Sequence, residues 1–437
     1  MIGLGTATVQ LDTSVNIAFP AVTRGFGLTI GDIQWVVICY VLTYASLLLA
    51  LGRIGDTIGH TVVYRAGLLC SAVALLLVSC APSYGAMLVF RCVQGIGAAL
   101  VMSCGAAMVT SLYGEERRSR ALGIYTMMMA LGWMLGPLLG GTLTAIWDWP
   151  AVFWFRIPIA IAALLLLRGM PAPPPRQAID RFDIPGAIAL ALGLVTMLMA
   201  INRIREFSAV WLGMLSALAF AGFAFRQSRA ERPIIAMEVL KLPGFAQLNL
   251  VSMLANIAAF SVWLLVPYYL ARMPHYSLTE GGAILAAGAA GAALAAPIGG
   301  RLIGRLFSAE RLAVAGAIGI GAGLLLLGAW TEQTPTSLRV AGLVVQGVGL
   351  GLFQLAYSDI VTAALPLTER GVAGSLALLT RTLGTVTAAS VFFLVFEILQ
   401  TTHGFLEAFH QTFQLAAVLA FVAAGLLMLS PRKTGKA

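Results

Sequence analysis

Charged side chains inside long apolar segments of this sequence include Asp12, Arg91, Asp359 and Arg381. A charge in an apolar environment is costly unless it is paired, and such residues usually have a function. A carboxylate that binds either a proton or a cation can couple two opposite fluxes, so we expect these four residues to couple proton movement. Structural alternatives stay open. Asp12 could pair with a neighbouring helix, Arg91 could extend to the outer surface, and Arg381 could form an ion pair with Asp359.

Uncharged polar side chains accompany these charges. Asn16 follows Asp12 by four residues, so the two share one face of a continuous helix. Gln94, Gln346 and Gln354 also lie in apolar segments, where an amide either lines a cavity or forms hydrogen bonds between helices. We therefore expect Asp12 and these four residues to be candidates for binding a substrate.

The composition indicates that these residues lie in a membrane. The chain has 437 residues, of which 59% are hydrophobic and 10% charged, and its mean hydropathy is +0.92. Soluble domains carry about 25% charged residues. The apolar runs are long and do not alternate, which favours helices over a barrel. The net charge of +9 comes from basic residues scattered between apolar runs, so we expect no nucleic-acid partner.

The apolar runs predict about fourteen membrane-spanning helices in a lipid bilayer. Nineteen of the 27 Lys and Arg residues follow even-numbered segments and five follow odd-numbered ones, which predicts that both termini are cytoplasmic. The predicted segments are residues 2–23, 33–51, 62–81, 85–112, 121–145, 151–168, 185–202, 208–225, 245–271, 280–303, 312–329, 339–363, 372–398 and 411–429.

An internal repeat relates the two halves of the chain. The string VQGIG at 93–97 is matched by VQGVG at 345–349, and Gly52-Arg53 by Gly300-Arg301. Two six-helix repeats around a central site are a transporter architecture. We expect an N-terminal bundle at 1–168, a Pro-rich linker with an inserted helix pair at 169–240, and a C-terminal bundle at 241–437.

Two glycine-rich strings would let helices turn or approach closely. The first lies between the second and third predicted segments and contains Gly52, Arg53, Gly55, Asp56 and Gly59. The second lies in the fifth segment, where a proline could also bend the helix, and contains Gly132, Gly136, Pro137, Gly140 and Gly141.

These strings carry a family resemblance. The first resembles the loop signature of the major facilitator superfamily, which in that family closes the cytoplasmic side. Thr57, His60 and Thr61 stand where basic residues are usual in that signature. The second resembles the antiporter signature of its export branches. The run from Leu11 to Pro20 resembles the first-helix signature of the fourteen-helix drug/proton antiporters, with Ser14 where Thr is usual.

The resemblance implies an all-α major facilitator fold and roles for particular residues. In that family the first-helix Asp handles protons and cations, which would be Asp12 here. Its cavity-lining helices correspond to segments 1, 4, 9 and 12, which adds Trp263, Tyr268, Phe353 and Tyr357 to the candidates for binding a substrate. Gating would belong to the first glycine string.

We therefore expect a multi-pass transporter in a bacterial inner membrane that exchanges protons for an amphipathic, cationic or neutral small molecule, exported as a multidrug-type substrate. The sequence has no nucleotide-binding G-x-x-x-x-G-K-[ST] string and no metal-ligand cluster among its four histidines, so we expect no cofactor, no metal and no enzymatic activity. We expect a monomer. A specific metabolite exporter or importer, or a membrane sensor that transports nothing, stay open as alternatives.

Overall fold

The computed structural model describes residues 1–112, 115–169, 183–203, 206–229, 244–273, 276–303, 306–363 and 370–429, and these residues are almost entirely helical. The predicted Pro-rich linker at 171–175 lies outside them. In chain order the helices are α1 (Ile2–Gln10), a 3₁₀ turn (Leu11–Thr13), α2 (Ser14–Ile17), α3 (Phe19–Phe26), α4 (Gln34–Ile58), α5 (His60–Ser79), α6 (Tyr84–Leu112), α7 (Glu115–Trp147), α8 (Ala151–Trp154), α9 (Arg156–Leu166), α10 (Ile184–Asn202), α11 (Ser208–Arg229), α12 (Phe245–Arg272), α13 (Leu278–Leu302), α14 (Ala309–Gly328), α15 (Thr336–Ala363), α16 (Arg370–His403) and α17 (Phe405–Leu429).

Ten of the helices in the described ranges are long and apolar enough to cross a membrane. Three shorter apolar stretches, Gln34–Leu48, Ala151–Leu166 and Ile188–Met197, coincide with the second, sixth and seventh predicted segments. The first predicted segment is divided among α1, the 3₁₀ turn, α2 and α3. The all-helical membrane class is confirmed, whereas the count of fourteen spans stays a prediction.

The contacts divide the chain into two compact units. The first comprises Met1–Ile234 and Val266–Ala286, and the second comprises Ile235–Leu265 and Ala287–Ala437. A cluster of buried side chains from α1, α5, α6 and α7, including Tyr64, Val101 and Met108, forms a core in the first unit. In the second unit α14 packs against α15 and α17. The division into bundles and linker stays a prediction.

The helices α10 and α11, the predicted inserted pair, pack together and are joined by a buried acid. Asp183 lies just before α10, and its Oδ1 accepts a hydrogen bond from the backbone N–H of Gly186 at 3.1 Å. Its carboxylate also pairs with Arg226 on α11 at 2.9 Å. Asp183 therefore caps one helix and holds the other.

The first glycine string differs from the predicted loop. Residues 52–58 continue α4, and the chain turns only at Gly59, whose φ is 102°. A Cβ on Gly55 would lie 2.6 Å from His60 Nδ1 and 2.7 Å from Cys104 Sγ, so this glycine allows close packing within a helix. Only Gly59 serves the predicted turn, because a positive φ is unfavourable for other residues.

Candidate functional site

An ion-paired centre surrounds Asp12 in the first unit. Arg91 binds both oxygens of its carboxylate, with Nη1–Oδ1 at 2.8 Å and Nη2–Oδ2 at 2.9 Å. Arg156 Nη1 lies 2.9 Å from Oδ1, and Gln94 Nε2 donates to the same oxygen at 2.9 Å. Asp12 is therefore paired with two arginines from other helices, which is the structural alternative that the sequence left open.

The two carboxylate oxygens differ in their bonding. Oδ1 accepts from Arg91, Gln94 and Arg156, whereas Oδ2 accepts from Arg91 alone among the described residues. The Asp12 side chain is 14% exposed, while those of Arg91 and Arg156 are 2% and 1% exposed. A proton or a ligand would therefore reach the centre at Asp12, and Oδ2 has the capacity to accept one more hydrogen bond.

Arg91 is held on every side. Its Nε donates to the backbone carbonyl of Val36 at 2.9 Å, and its Nη1 also donates to Gln94 Oε1 at 2.7 Å. Its guanidinium carbon lies 4.3 Å from the centroid of the Tyr40 ring, a cation–π contact. Because α6 is continuous here, Arg91 is a rigid partner and does not extend to the surface.

Arg156 is held less completely, and sequence reasoning assigned it no role. Its Nε donates to the backbone carbonyl of Val152 at 3.1 Å, one turn earlier, and Nη1 binds Asp12. Its Nη2 is buried without a hydrogen-bond partner among the described residues. The signal available in the sequence was the position itself, an arginine between apolar residues of the sixth predicted segment.

Asp12 and Arg156 each lie next to a point where a helix is interrupted. Asp12 is in the 3₁₀ turn that interrupts the first predicted segment, and Arg156 begins α9 after the interruption at Phe155. Pro158 has no N–H to donate to Trp154, which weakens the helix at that point. Discontinuous helices commonly form the binding sites of membrane transporters, because they expose polar groups at mid-membrane.

The glycines of the second string form a strip along α7 that faces the broken first segment. A Cβ on Gly132 would lie 2.8 Å from the carbonyl oxygen of Ala7, and one on Gly140 would lie 2.5 Å from that of Ser14. A Cβ on Gly136 would collide with the Thr13 hydroxyl. These three glycines therefore allow the backbone around Asp12 to rest directly on α7.

Pro137 and Thr13 complete this contact. A proline cannot donate to the carbonyl four residues earlier, which here is that of Trp133. Thr13 Oγ1 donates to this carbonyl at 3.1 Å, so the hydroxyl replaces the missing backbone bond. Gly141 faces α13, where a Cβ would lie 3.0 Å from Gly282 Cα. The antiporter-like string thus supports the neighbours of Asp12.

The substrate-binding candidates in the later part of the chain make contacts with residues other than those of the Asp12 centre. Tyr357 donates to Asn249 Oδ1 at 3.0 Å, as Thr380 does at 2.9 Å, and the rings of Phe353 and Tyr357 stack at 6.1 Å. Asn249 was missed because one amide near a helix start carries no pattern. Trp263 and Gln346 are buried in the second unit, and Gln354 is partly buried.

The structure places the remaining sequence candidates as follows. Asp359 and Arg381 are both exposed, and no ion pair joins them among the described side chains. Asn16 makes no hydrogen bond to Asp12, because the 3₁₀ turn interrupts the helical face they would share. Tyr268 lies in the first unit, where its hydroxyl contacts that of Thr23 at 2.7 Å. The side chains of Arg53 and Asp56 lie outside the described part.

Comparison with known families decides the class of the chain. The family model described as Major Facilitator Superfamily matches residues 2–262 and 248–437. The chain belongs to this superfamily. It is therefore a membrane transporter by family, and the superfamily predicted from the sequence is confirmed.

Individual relatives in the superfamily are distant but extensive. The riboflavin transporter RibZ of Clostridioides difficile (strain 630) is 26% identical over 100% of this chain and 97% of its own length. The puromycin resistance protein pur8 of Streptomyces alboniger is 30% identical over 84% and 75%, respectively. The cephamycin export protein CmcT of Amycolatopsis lactamdurans is 30% identical over 86% and 80%.

Solved structures share the fold. A peptide transporter POT crystallised with sulfate superposes with a TM-score of 0.74 at 15% sequence identity, covering 98% of this chain and 92% of the other. At this identity the likeness concerns the fold alone.

Proposed function

We propose that this transporter exports an amphipathic small molecule in exchange for protons, and that Asp12 is the group that binds the proton. The observation that supports this most directly is the Asp12–Arg91–Arg156 centre, with its single carboxylate and its under-bonded Oδ2. The export direction is supported by relatives named for puromycin resistance and cephamycin export. Arg91 shares the coupling role.

The geometry suggests how a proton would change the state of the protein. Ionised Asp12 ties the 3₁₀ turn to α6 and α9 through two guanidinium groups. Protonation removes the charge that holds both arginines, so these helices could rearrange as alternating access requires. A substrate that donates a hydrogen bond to Oδ2 occupies the place of the proton, and this competition would couple the two fluxes.

A specific metabolite transporter is the second candidate. A relative that matches over the full length of this chain is named a riboflavin transporter, which favours a narrow substrate range over multidrug export. Proton competition at Asp12 would operate in either case.

The proposal also includes the placement of the chain. We expect a monomer in a bacterial inner membrane with fourteen spans and cytoplasmic termini, built from bundles at 1–168 and 241–437 with the inserted pair between them. Asp359 and Arg381 stay secondary candidates for proton coupling, and the string from Gly52 to Gly59 stays a candidate gate.

Everted vesicles with an acidic interior test the exchange. Riboflavin and puromycin serve as probes because relatives are named for them. We expect one or both to accumulate in vesicles that contain the protein, and a protonophore to abolish the accumulation. Vesicles without the protein are the control. Accumulation at an equal rate without a proton gradient would contradict proton coupling.

A further inference from the structure

The charges of the Asp12 centre do not cancel. One carboxylate faces two guanidinium groups. Among the described residues, the other side chains that hydrogen-bond to these groups or place a ring next to them are Gln94, Tyr40 and Phe153, and these are uncharged. With Asp12 ionised, the centre therefore has a net charge of +1. An uncompensated charge at membrane depth is unfavourable, so this centre favours a ligand that brings electron-rich atoms and disfavours one that brings a further positive charge.

One nitrogen atom of the centre lacks a hydrogen bond among the described residues. Arg156 Nη2 is fully buried and has no hydrogen-bond partner among the described residues. It shares a guanidinium group with Nη1, which lies 2.9 Å from Asp12 Oδ1. An unsatisfied buried donor destabilises the structure until an acceptor reaches it, either directly or through one water molecule.

From these two observations we infer that Arg156 determines the class of substrate: the centre binds an uncharged ligand group that pairs an acceptor oxygen with a donor, as an amide does, and it rejects monocations. The acceptor oxygen satisfies Arg156 Nη2, and the donor binds Asp12 Oδ2. This inference rests on the proposed function, because it assumes that the centre faces the transport path. It also replaces the cationic substrate that the sequence suggested, since a cation would meet two fixed positive charges.

A pair of matched probes tests this inference on the purified full-length protein. 2-Naphthamide and 2-naphthylmethylammonium share the same ring system and differ in the charge and in the acceptor oxygen. Equilibrium dialysis at one pH, with no gradient, measures their binding. We expect the wild type to bind the amide at least about tenfold more tightly than the ammonium. Equal binding, or tighter binding of the ammonium, would overturn the inference.

Variants then assign the preference to Arg156. Arg156→Gln lowers the net charge of the centre to zero, so we expect the preference for the amide to shrink at least about tenfold. Arg156→Lys keeps the charge but loses the planar fork, so it should still reject the ammonium while it binds the amide more weakly. Arg226→Gln, which removes a partly exposed arginine outside the centre, should keep the wild-type preference. An unchanged preference in Arg156→Gln would overturn the inference.

A further variant covers the case in which Arg156→Gln does not fold. Asp12→Asn raises the net charge to +2, so the ammonium should bind even more weakly than to the wild type, and improved ammonium binding would contradict the inference. Because these measurements use no gradient, they can fail while gradient-driven accumulation persists. That result would contradict the inferred substrate class but not the proposed exchange of substrate for protons.

Discussion

At the scale of single residues, Arg91 and Arg156 hold Asp12 in different ways. Arg91 donates from Nε to the Val36 carbonyl and from Nη1 to Gln94, and it lies over the Tyr40 ring, so neighbours other than Asp12 also determine its position. Among the described residues, Arg156 has one hydrogen bond besides those to Asp12, to the carbonyl of Val152 on the preceding turn. Arg91 is therefore the fixed partner of the centre, and Arg156 is the partner that can leave.

Replacing Arg91 with lysine tests the value of this fixed geometry. The ammonium keeps the charge but cannot bind both oxygens of Asp12 and the Val36 carbonyl together. Hydrogen bonds to charged groups are each worth about 1.5–3 kcal/mol, so we expect the transport rate to fall more than about tenfold. Arg226→Lys is the matched control, because that arginine pairs with Asp183 outside the centre. Full activity in Arg91→Lys would mean that charge alone suffices.

How far these residues could be predicted depends on their pattern in the sequence. Asp12 and Arg91 were identifiable because charges are rare in apolar segments, and the structure brings them together. Arg156 has the same signature, but only the fold shows that it reaches Asp12. The expected ion pair of Asp359 and Arg381 does not form among the described side chains, because similar depth in two helices does not determine which faces they present.

At the scale of elements, the glycine strip on α7 holds the broken first segment. Gly132, Gly136 and Gly140 each contact backbone or side-chain atoms of residues 7–17 so closely that a methyl group would collide. The string itself was predictable, and so was close helix approach. The 3₁₀ turn at Leu11–Thr13 was not, because its residues do not favour that turn over a continuous helix.

Gly136→Ala tests whether this packing positions Asp12. The added methyl group would collide with Thr13 Oγ1 and lie 3.0 Å from the backbone nitrogen of Ser14. Overpacking costs about 1–3 kcal/mol, so we expect lower thermal stability and at least about tenfold slower transport. Gly123→Ala lies on the same helix with no atom within 4 Å and should leave both unchanged. Equal behaviour of the two variants would show that the strip has no positioning role.

At the scale of the whole molecule, the fold class followed from composition, because a chain with 59% hydrophobic residues must bury its backbone polar groups in helices or barrels within lipid. Membership of the superfamily confirms that class. The number of spans did not follow as directly. A helix that is interrupted by a polar site has pieces shorter than a bilayer requires. Counting spans by helix length therefore gives fewer than counting apolar segments in the sequence.

The orientation of the chain is testable with two exposed positions. The distribution of basic residues predicts that Glu310 is cytoplasmic and that Gln333 is on the opposite side. In a background without the five native cysteines, we expect Gln333→Cys to react with an impermeant maleimide in intact cells. Glu310→Cys should react only after permeabilisation. The reverse pattern would overturn the predicted orientation, and it would also place the basic segments outside.

The central claim is that Asp12 binds the coupling proton, and the most direct test measures substrate-induced proton movement in proteoliposomes. Asp12→Asn removes the titratable group but raises the centre to +2, so Asp12→Asn with Arg156→Gln is also needed, because it restores the wild-type charge of +1. Asp148→Asn, an exposed position with φ of 61° that asparagine tolerates, is the control. We predict proton movement in the wild type and in Asp148→Asn, and none in either Asp12 variant. Wild-type proton movement in a folded Asp12 variant would contradict the claim and move the coupling role to another carboxylate.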